Sequence, residues 1–375
     1  MNTRSVARGT TLLTALGAVP VASAHGGEAT PPMPQWLALA VLLVGVVGAV
    51  GSAYARRRTT ATTALGGTFA GLVVAAVGAV GLVQLSPVET LATSQPAIAR
   101  AWFGPLTLGI GLAIVVGSLA VGRMRWPDRP RYAALGMLLG LWVAYPVLVP
   151  GSLTNPVGYL LAVAVPATVG YVVWRDSRDL LARALADRPS RWFGTGTGVV
   201  AALFFMFSMG MLTFVPEAGG GVDLTRSFVT TAQVTNPLVY WPAVEFHFHD
   251  AFGTTPLSGV VSLGMALLVG LVAVLVGLNA ALLAFQWRAN DAASDPEASG
   301  SAEATVGSAA VAAPNACCCC GPVVAELAVV SVGPAAAAPL YWLFVDLASP
   351  VGALFFVVSV GLLAGNLVRS GSRSR

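Results

Sequence analysis

Apolar residues fall into nine long runs along the chain, and short polar segments separate the runs. Each run is near the ~20 residues that an α-helix needs to cross a bilayer. The pattern therefore predicts an all-α fold, a polytopic transmembrane helical bundle of about nine helices. The runs are Trp36–Ala55, Thr63–Leu85, Phe103–Gly122, Tyr132–Val149, Val157–Trp174, Phe193–Val215, Leu257–Trp287, Cys318–Leu340 and Pro350–Val368.

The arginines between the runs predict the orientation of the helices. With the N-terminus outside, sixteen of the twenty basic residues fall in inner segments, and only Arg100 and Arg226 lie outside. Membrane proteins concentrate basic residues in their cytoplasmic loops. Because one missed helix would invert every later loop, this bias supports both the helix number and a C-terminus inside.

The first 24 residues are predicted to be a signal peptide. Arg4 and Arg8 precede a short apolar stretch, and residues 22–24 form an Ala-Ser-Ala cleavage motif. Cleavage after Ala24 would leave His25 as the first residue, on the outer side. The alternative is a retained anchor, which would add a tenth helix.

Composition changes along the chain predict its division into parts. Residues 25–287 form a predicted seven-helix membrane domain with a long outer loop at 216–256. Residues 288–316 are rich in small and acidic residues without periodicity, which predicts a flexible cytoplasmic linker. Residues 317–375 would add two helices and a basic tail. The segment Asp176–Arg188 is predicted to be a short amphipathic helix on the membrane surface.

Overall composition narrows the class of protein. Hydrophobic residues make up 56% of the chain and charged residues 10%, whereas soluble domains carry roughly 25% charged residues. The predicted partner is therefore the lipid bilayer, in a multi-pass protein of the cell membrane. The basic residues form short clusters between apolar runs, which excludes a nucleic-acid-binding surface. Motifs of nucleotide-binding and hydrolytic enzymes are missing, which favours a non-enzymatic role.

All three histidines of the chain, His25, His247 and His249, lie on the predicted outer side. The segment from Glu245 to Asp250 alternates polar and aromatic residues. In an extended strand Glu245, His247 and His249 share one face. A nitrogen-rich set of this kind suits copper, zinc, iron or nickel, and tetragonal nitrogen ligation favours Cu(II). The alternative is a pair of interfacial polar residues and a loose N-terminal tail.

The histidine set resembles the copper site of the B subunit of particulate methane monooxygenase. In that family a histidine exposed by signal cleavage joins a His-x-His pair. The resemblance covers His25, His247 and His249 only. It implies a copper ion as cofactor, and it does not extend to the soluble β-domain or to the monooxygenase activity.

Methionines follow one another in the outer half of the predicted sixth helix, at Met206, Met209 and Met211. Thioether sulfur is a soft ligand that suits Cu(I). Met206 and Met209 would share a helix face. The alternative is that these flexible side chains fill gaps in the apolar packing.

The four cysteines of the chain are consecutive: Cys317, Cys318, Cys319 and Cys320. They precede Gly321-Pro322 at the inner end of the predicted eighth helix, and this start resembles the first helix of mercuric-ion membrane transporters. Thiolates bind Cu(I), zinc and other soft ions. On a regular helix the four would point around the whole circumference, so a shared ion requires unwinding. The alternatives are small lipid-compatible residues or a site of redox modification.

Glu326 lies within the predicted eighth helix, where a carboxylate is expensive and usually faces a bundle interior or a cavity. It is a candidate proton relay, cation ligand or structural hydrogen-bond partner.

These features predict copper uptake or delivery. The histidines would capture metal outside, the methionines would pass it inward, and the cysteines would receive it. One alternative is a transporter of another small solute, coupled through Glu326. Another is a non-catalytic membrane assembly factor that delivers copper to a protein partner.

Overall fold

Nine α-helices and one small sheet make up the described part of the chain. The computed structural model describes residues 34–85, 98–149, 154–214, 226–235, 237–252, 255–292, 321–333 and 350–373. Within these ranges, seven helices are long and apolar enough to cross a membrane. The predicted multi-pass helical bundle is therefore confirmed. The helices are α1 (Gln35–Ala55), α2 (Ala61–Leu85), α3 (Phe103–Arg125), α4 (Pro130–Leu148), α5 (Pro156–Ala186), α6 (Arg188–Ser208), α7 (Leu263–Ala292), α8 (Gly321–Val332) and α9 (Pro350–Arg373).

Two of the nine helices are not among the candidate membrane spans. The described part of helix α8 has 12 residues, which is about 18 Å of helix and shorter than the ~30 Å hydrocarbon layer. Helix α6 begins with Arg188 and Arg191 and contains alternating glycine and threonine. It nevertheless packs along α7, and its two ends lie at opposite ends of the bundle.

The arginine-rich ends of several helices meet at one end of the bundle, which we call the inner end. The guanidinium of Arg56, after α1, lies 5.2 Å from the ring centroid of Trp287 in α7. Arg288 of α7 forms an ion pair with Asp187, the single residue between α5 and α6. These contacts place the ends of α1, α5 and α7 together, as the predicted alternation of the helices requires.

The opposite end, which we call the outer end, carries the sheet. Gln84 at the end of α2 donates from Nε2 to the carbonyl oxygen of Phe207 in α6, at 2.7 Å. The same amide group donates to the carbonyl oxygen of Leu212, the first residue of a strand, at 3.1 Å. The amide of Phe214 donates back to Gln84 Oε1 at 3.3 Å. One polar side chain thus joins α2, α6 and the sheet.

Small residues let neighbouring helices approach closely. A Cβ atom on Gly45 of α1 would lie 2.1 Å from the backbone nitrogen of Ala75 in α2, and one on Gly71 would lie 2.3 Å from that of Ala49. Glycines in the α3–α4 and α6–α7 pairs make contacts of the same kind. Close backbone contact of this sort is the usual basis of helix association in lipid.

The main apolar core joins α4, α5, α7 and α9. Val143, Val165, Val272 and Val360, one from each helix, are fully buried in it. The last helix therefore packs into the same core as the helices that precede the predicted linker.

A buried polar contact also joins α7 to α9. Asn279 of α7 donates from Nδ2 to the carbonyl oxygen of Leu363 at 3.1 Å and accepts from Asn366 Nδ2 at 2.7 Å. Hydrogen bonds between helices satisfy polar groups that lipid cannot.

The prediction of a separate surface helix at Asp176–Arg188 is wrong. Helix α5 runs for 31 residues through this segment to Ala186. Asp176 accepts hydrogen bonds from Arg131 Nε at 3.0 Å and from the Tyr132 hydroxyl at 2.9 Å. The Ser177 hydroxyl donates to the carbonyl oxygen of Leu367 at 2.9 Å. Asp176 and Ser177 thus bind to α4 and α9. Because these neighbours satisfy its polar side chains inside the bundle, the helix continues through this segment.

Three predicted helix boundaries are also corrected. Helix α6 ends at Ser208, because Gly210 turns the chain at φ 71°. Helix α7 begins at Leu263, because residues 255–262 form a strand. Helix α8 ends at Val332, since Gly333 adopts φ 87°. Glycine takes this left-handed conformation without the steric penalty of a side chain, which makes it a frequent helix terminator.

We predict that Gly45→Ala destabilises the bundle and that Gly51→Ala does not. The new methyl group at position 45 would overlap the backbone of α2, whereas a Cβ at Gly51 has nothing within 4 Å. Overpacking costs about 1–3 kcal/mol. Thermal unfolding in detergent micelles would measure both variants, and an equal response of the two would contradict the role of this contact.

We also predict a pH-dependent effect of Asp187→Asn. Burial raises the pKa of the Asp187 carboxyl, but hydrogen bonds from Ser190 and Arg288 outweigh this and lower it below its usual 3.8. The carboxylate therefore stabilises the fold above pH 3.8, and the contribution is lost as the pH falls through the lowered pKa.

At neutral pH the Asp187→Asn variant should be less stable than the wild type by up to about 1 kcal/mol, since the ion pair is partly exposed and screened. Asparagine can still cap α6, so the cap itself is retained. Unfolding midpoints measured at falling pH should converge, and a gap that persists in acid would argue against the ion pair.

Candidate functional site

The predicted extended arrangement of residues 245–250 is confirmed, and it belongs to a larger sheet. The four antiparallel strands are β1 (Leu212–Thr213), β2 (Phe228–Val234), β3 (Trp241–Phe252) and β4 (Thr255–Ser262). Their spatial order is β1-β4-β3-β2. The histidine strand, β3, thus lies between two others, so hydrogen bonds on both of its sides fix its register.

Aromatic contacts attach β3 to the outer ends of the helices. The Trp241 ring is buried, and its Nε1 donates to the carbonyl oxygen of Pro237 at 3.0 Å. Tyr159 of α5 packs edge-on against this ring, with centroids 5.1 Å apart. A Cβ on Gly264, near the start of α7, would lie 2.4 Å from Trp241 Nε1, so only glycine fits there without rearrangement. The start of β3 is therefore held between α5 and α7.

His247 is held on three sides within the sheet. It pairs with Phe228 of β2 and with Ser258 of β4. Its Nδ1 lies 2.7 Å from the Ser258 hydroxyl oxygen, and its ring stacks on Phe228 with centroids 5.7 Å apart. Only 1% of the residue is exposed. These contacts fix both the position and the plane of the imidazole.

His249 lies on the same face of β3 and is half-buried. Its ring centroid is 6.3 Å from that of His247, and the two rings are inclined by 47°. Its backbone amide donates to the Ser227 hydroxyl at 3.0 Å. The alternation predicted from the sequence therefore brings two imidazoles together.

The remaining predicted ligands do not complete a set with this pair in the described structure. Glu245 is half-buried on the same face of β3, opposite Thr230 and Val260. Among the residues that the structure describes, no group of three or more His, Cys, Asp or Glu could hold a metal ion. His25, the side chain of Asp250 and the cysteines Cys317, Cys318, Cys319 and Cys320 lie outside the described residues.

The three methionines contribute to the apolar packing. Met206 lies in α6, whereas Met209 and Met211 follow its end, which corrects their predicted helical position. Met211 is buried in the main core, and the other two pack against that core. The backbone of Met211 also accepts a hydrogen bond from the amide of Val260 at 2.9 Å. This arrangement is what the packing interpretation expects, and a role in metal transfer stays a prediction.

Glu326 lies in α8, with 3% of its surface exposed. Its Oε2 atom has no hydrogen-bond partner among the described residues. Helix α8 packs against α2. A buried carboxylate oxygen without such a partner is expensive in an apolar bundle, and it is therefore a second candidate site.

Three residues of the outer site had not been predicted from the sequence. Ser258 and Phe228 flank His247 only because of the strand register, and Gln84 reaches the sheet from a helix more than a hundred residues earlier. For Ser258 and Phe228 the sequence gives a weak indication of strand structure, since both lie in short stretches with β-branched residues.

No protein family, curated protein sequence or solved structure matches this chain.

Proposed function

We propose that this protein binds copper at its outer end and takes the ion up across the membrane or delivers it to a protein partner. The observation that carries the proposal is the His247–His249 pair, two imidazoles 6.3 Å apart on one face of β3. The pair lies at the end of the bundle opposite to the arginine-rich loops, which is the predicted outer side.

The surroundings of His247 suit a metal ligand. When Nδ1 donates to the Ser258 hydroxyl, the neutral ring carries its lone pair on Nε2, the nitrogen that a metal ion would take. Such a hydrogen bond to the second ring nitrogen commonly orients a metal-bound histidine. Stacking on Phe228 further restricts rotation of the ring. The site would therefore be largely arranged before the ion arrives.

The separation of the two rings follows from the strand. Alternate residues of a strand lie about 6.6 Å apart, and the observed distance between the ring centroids is 6.3 Å. The preference for copper therefore rests on the nitrogen-rich ligand set that His25 would complete, since tetragonal nitrogen ligation favours Cu(II).

His25 would complete the site if the signal peptide is cleaved after Ala24. Its amine and imidazole then offer two further nitrogens. The described chain begins at Pro34, just before α1, and the eight residues between His25 and Pro34 can span up to about 30 Å when extended. The predicted topology places this segment on the same side as the sheet.

We predict that replacing both His247 and His249 by alanine abolishes copper binding. Wild-type protein reconstituted with Cu(II) should hold close to equimolar copper by mass spectrometry, with nitrogen hyperfine splitting in its paramagnetic resonance spectrum. The double variant should lose both signals. Unfolding measurements on each protein separate loss of the site from loss of the fold, and unchanged copper content would rule this site out.

Ser258→Ala tests the same site with a smaller expected loss of copper affinity than the double variant. It keeps both imidazoles and removes only the partner of Nδ1, so copper affinity should fall by about 10–100-fold without being abolished. Thr231→Ala, on the exposed edge strand β2, is the matched control and should bind as the wild type does.

The second candidate function, solute transport coupled to an ion, is favoured by the buried carboxylate of Glu326. An intramembrane carboxylate that takes up and releases a proton or cation can couple that ion to a substrate. This function does not depend on copper, so the two proposals make separable predictions.

We predict that Glu326→Gln reduces ion-driven uptake in liposomes to near background if this second function is correct. Glutamine keeps the shape of the side chain and cannot carry the charge. Ser331→Ala on the same helix is the control, because that exposed hydroxyl bonds only within its own helix. Uptake by the glutamine variant at the wild-type rate would exclude a coupling role.

A further inference from the structure

A groove runs between α3 and α4 in the half of the bundle near the inner end. Its volume is about 380 Å³. Ile114, Gly117, Ser118 and Gly122 of α3 line it, and Trp126 and Tyr132 close its inner end. Val121, which is exposed, also lines it. The groove is therefore an apolar slot on a helix surface that faces lipid in the predicted topology.

The groove lies beside the line along which α3 and α4 touch. A Cβ on Gly122 would lie 2.7 Å from the Ala133 side chain, so the helices are in contact there. A Cβ on Gly117, by contrast, would have nothing within 4 Å. Position 117 thus borders empty space large enough for a hydrocarbon chain.

The inner end of the groove has a rigid aromatic wall. The rings of Trp126 and Tyr132 pack edge-to-face, with centroids 5.6 Å apart. The Tyr132 hydroxyl donates to Asp176 at 2.9 Å and accepts from Arg129 Nη1 at 3.0 Å. Tryptophan and tyrosine occur preferentially at the level of the lipid headgroups. This wall therefore marks the depth at which the hydrocarbon gives way to headgroups.

Positive charge lies directly beyond the aromatic wall. Arg125 follows Val121 by four residues and Gly122 by three, so it continues the groove-lining face of α3 by one turn. The segment 123–131 holds four arginines and a single acidic residue, Asp128. The carboxylate of Asp176 is already bound by Arg131. Arg123 and Arg125 are both exposed, so the mouth of the groove presents an excess of guanidinium groups.

We propose that this groove binds an anionic glycerophospholipid. One acyl chain lies in the slot along Gly117, and the phosphate of the headgroup is bound by Arg125 and Arg129. Charge complementarity selects this occupant, because basic pockets between helices on the cytoplasmic side bind acidic lipid headgroups. Guanidinium groups also match phosphate oxygens in a bidentate geometry. The site is independent of the proposed copper site and lies at the other end of the molecule.

The experiment measures lipid binding to the full chain in detergent, by native mass spectrometry and by thermal shift, with phosphatidylglycerol and phosphatidylcholine compared. Gly117→Leu fills the slot without touching the charge. Gly109→Leu is its matched control, since a Cβ there also has open space and position 109 does not line the groove. Arg125→Gln removes the charge, and Arg58→Gln, an exposed arginine in another inner loop, is its control.

We expect phosphatidylglycerol to be retained and to raise the unfolding temperature, while phosphatidylcholine does neither. Arg125→Gln should weaken retention about fivefold, the effect of one basic residue at an anionic headgroup. Gly117→Leu should weaken it relative to Gly109→Leu.

Three outcomes would overturn the proposal. They are equal retention of the two lipids, equal behaviour of the two leucine variants, and a thermal shift by inorganic phosphate as large as that by phosphatidylglycerol. The last result would mean that the arginines bind phosphate without an acyl chain.

Discussion

The close approach of helix backbones at small residues is the constraint on which the rest of this structure depends. In lipid an apolar side chain gains little by moving from acyl chains to another helix, so association relies on close packing and hydrogen bonds. The contacts of Gly45 with Ala75 and of Gly71 with Ala49 supply such packing between α1 and α2. Similar contacts join α3 to α4 and α6 to α7. The two helices of each pair are thereby fixed relative to one another.

The sheet packs against the outer ends of the helices. Gln84 binds backbone groups of α6 and β1, and Trp241 lies between Tyr159 and Gly264. Because β3 lies between β2 and β4 in the sheet, its backbone is hydrogen-bonded to strands on both sides. A histidine on such a strand has little freedom beyond its side-chain torsions, and the stacking and hydrogen bond at His247 remove most of that. Sites built on rigid elements hold their geometry better than sites on loops.

The sequence predicted the helices well where the apolar run ended at a polar boundary. The predicted Trp36–Ala55 matches α1, observed at Gln35–Ala55, because arginines follow at once. The prediction of a helix from Leu257 failed, because Val260 and Val261 are as apolar in β4 as they would be in a helix. Short apolar runs of this kind cannot be assigned by periodicity alone. The prediction at Asp176 also failed, because the partner that keeps this residue inside the bundle, Arg131, lies 45 positions earlier.

The same limit applies to the outer site. Period-two alternation in residues 245–249 was sufficient to predict a strand and a shared face for the two histidines. The alternation does not show which residues of the neighbouring strands lie beside the histidines. The positions of Phe228 and Ser258 beside His247 depend on strand register, which is set by the turns between strands and by the contacts of the whole sheet.

The burial of His247 bears on which oxidation state of copper this site would hold. Moving an ion next to His247, a residue that is 1% exposed, is more expensive for a doubly charged ion than for a singly charged one, because the hydration lost is greater. Two imidazoles can satisfy Cu(I), whereas Cu(II) requires further ligands. Within the proposed function, the His247–His249 pair alone would therefore suit Cu(I). Cu(II) would need the amine and imidazole of His25, so the N-terminal residue would decide which form of the metal the outer end accepts.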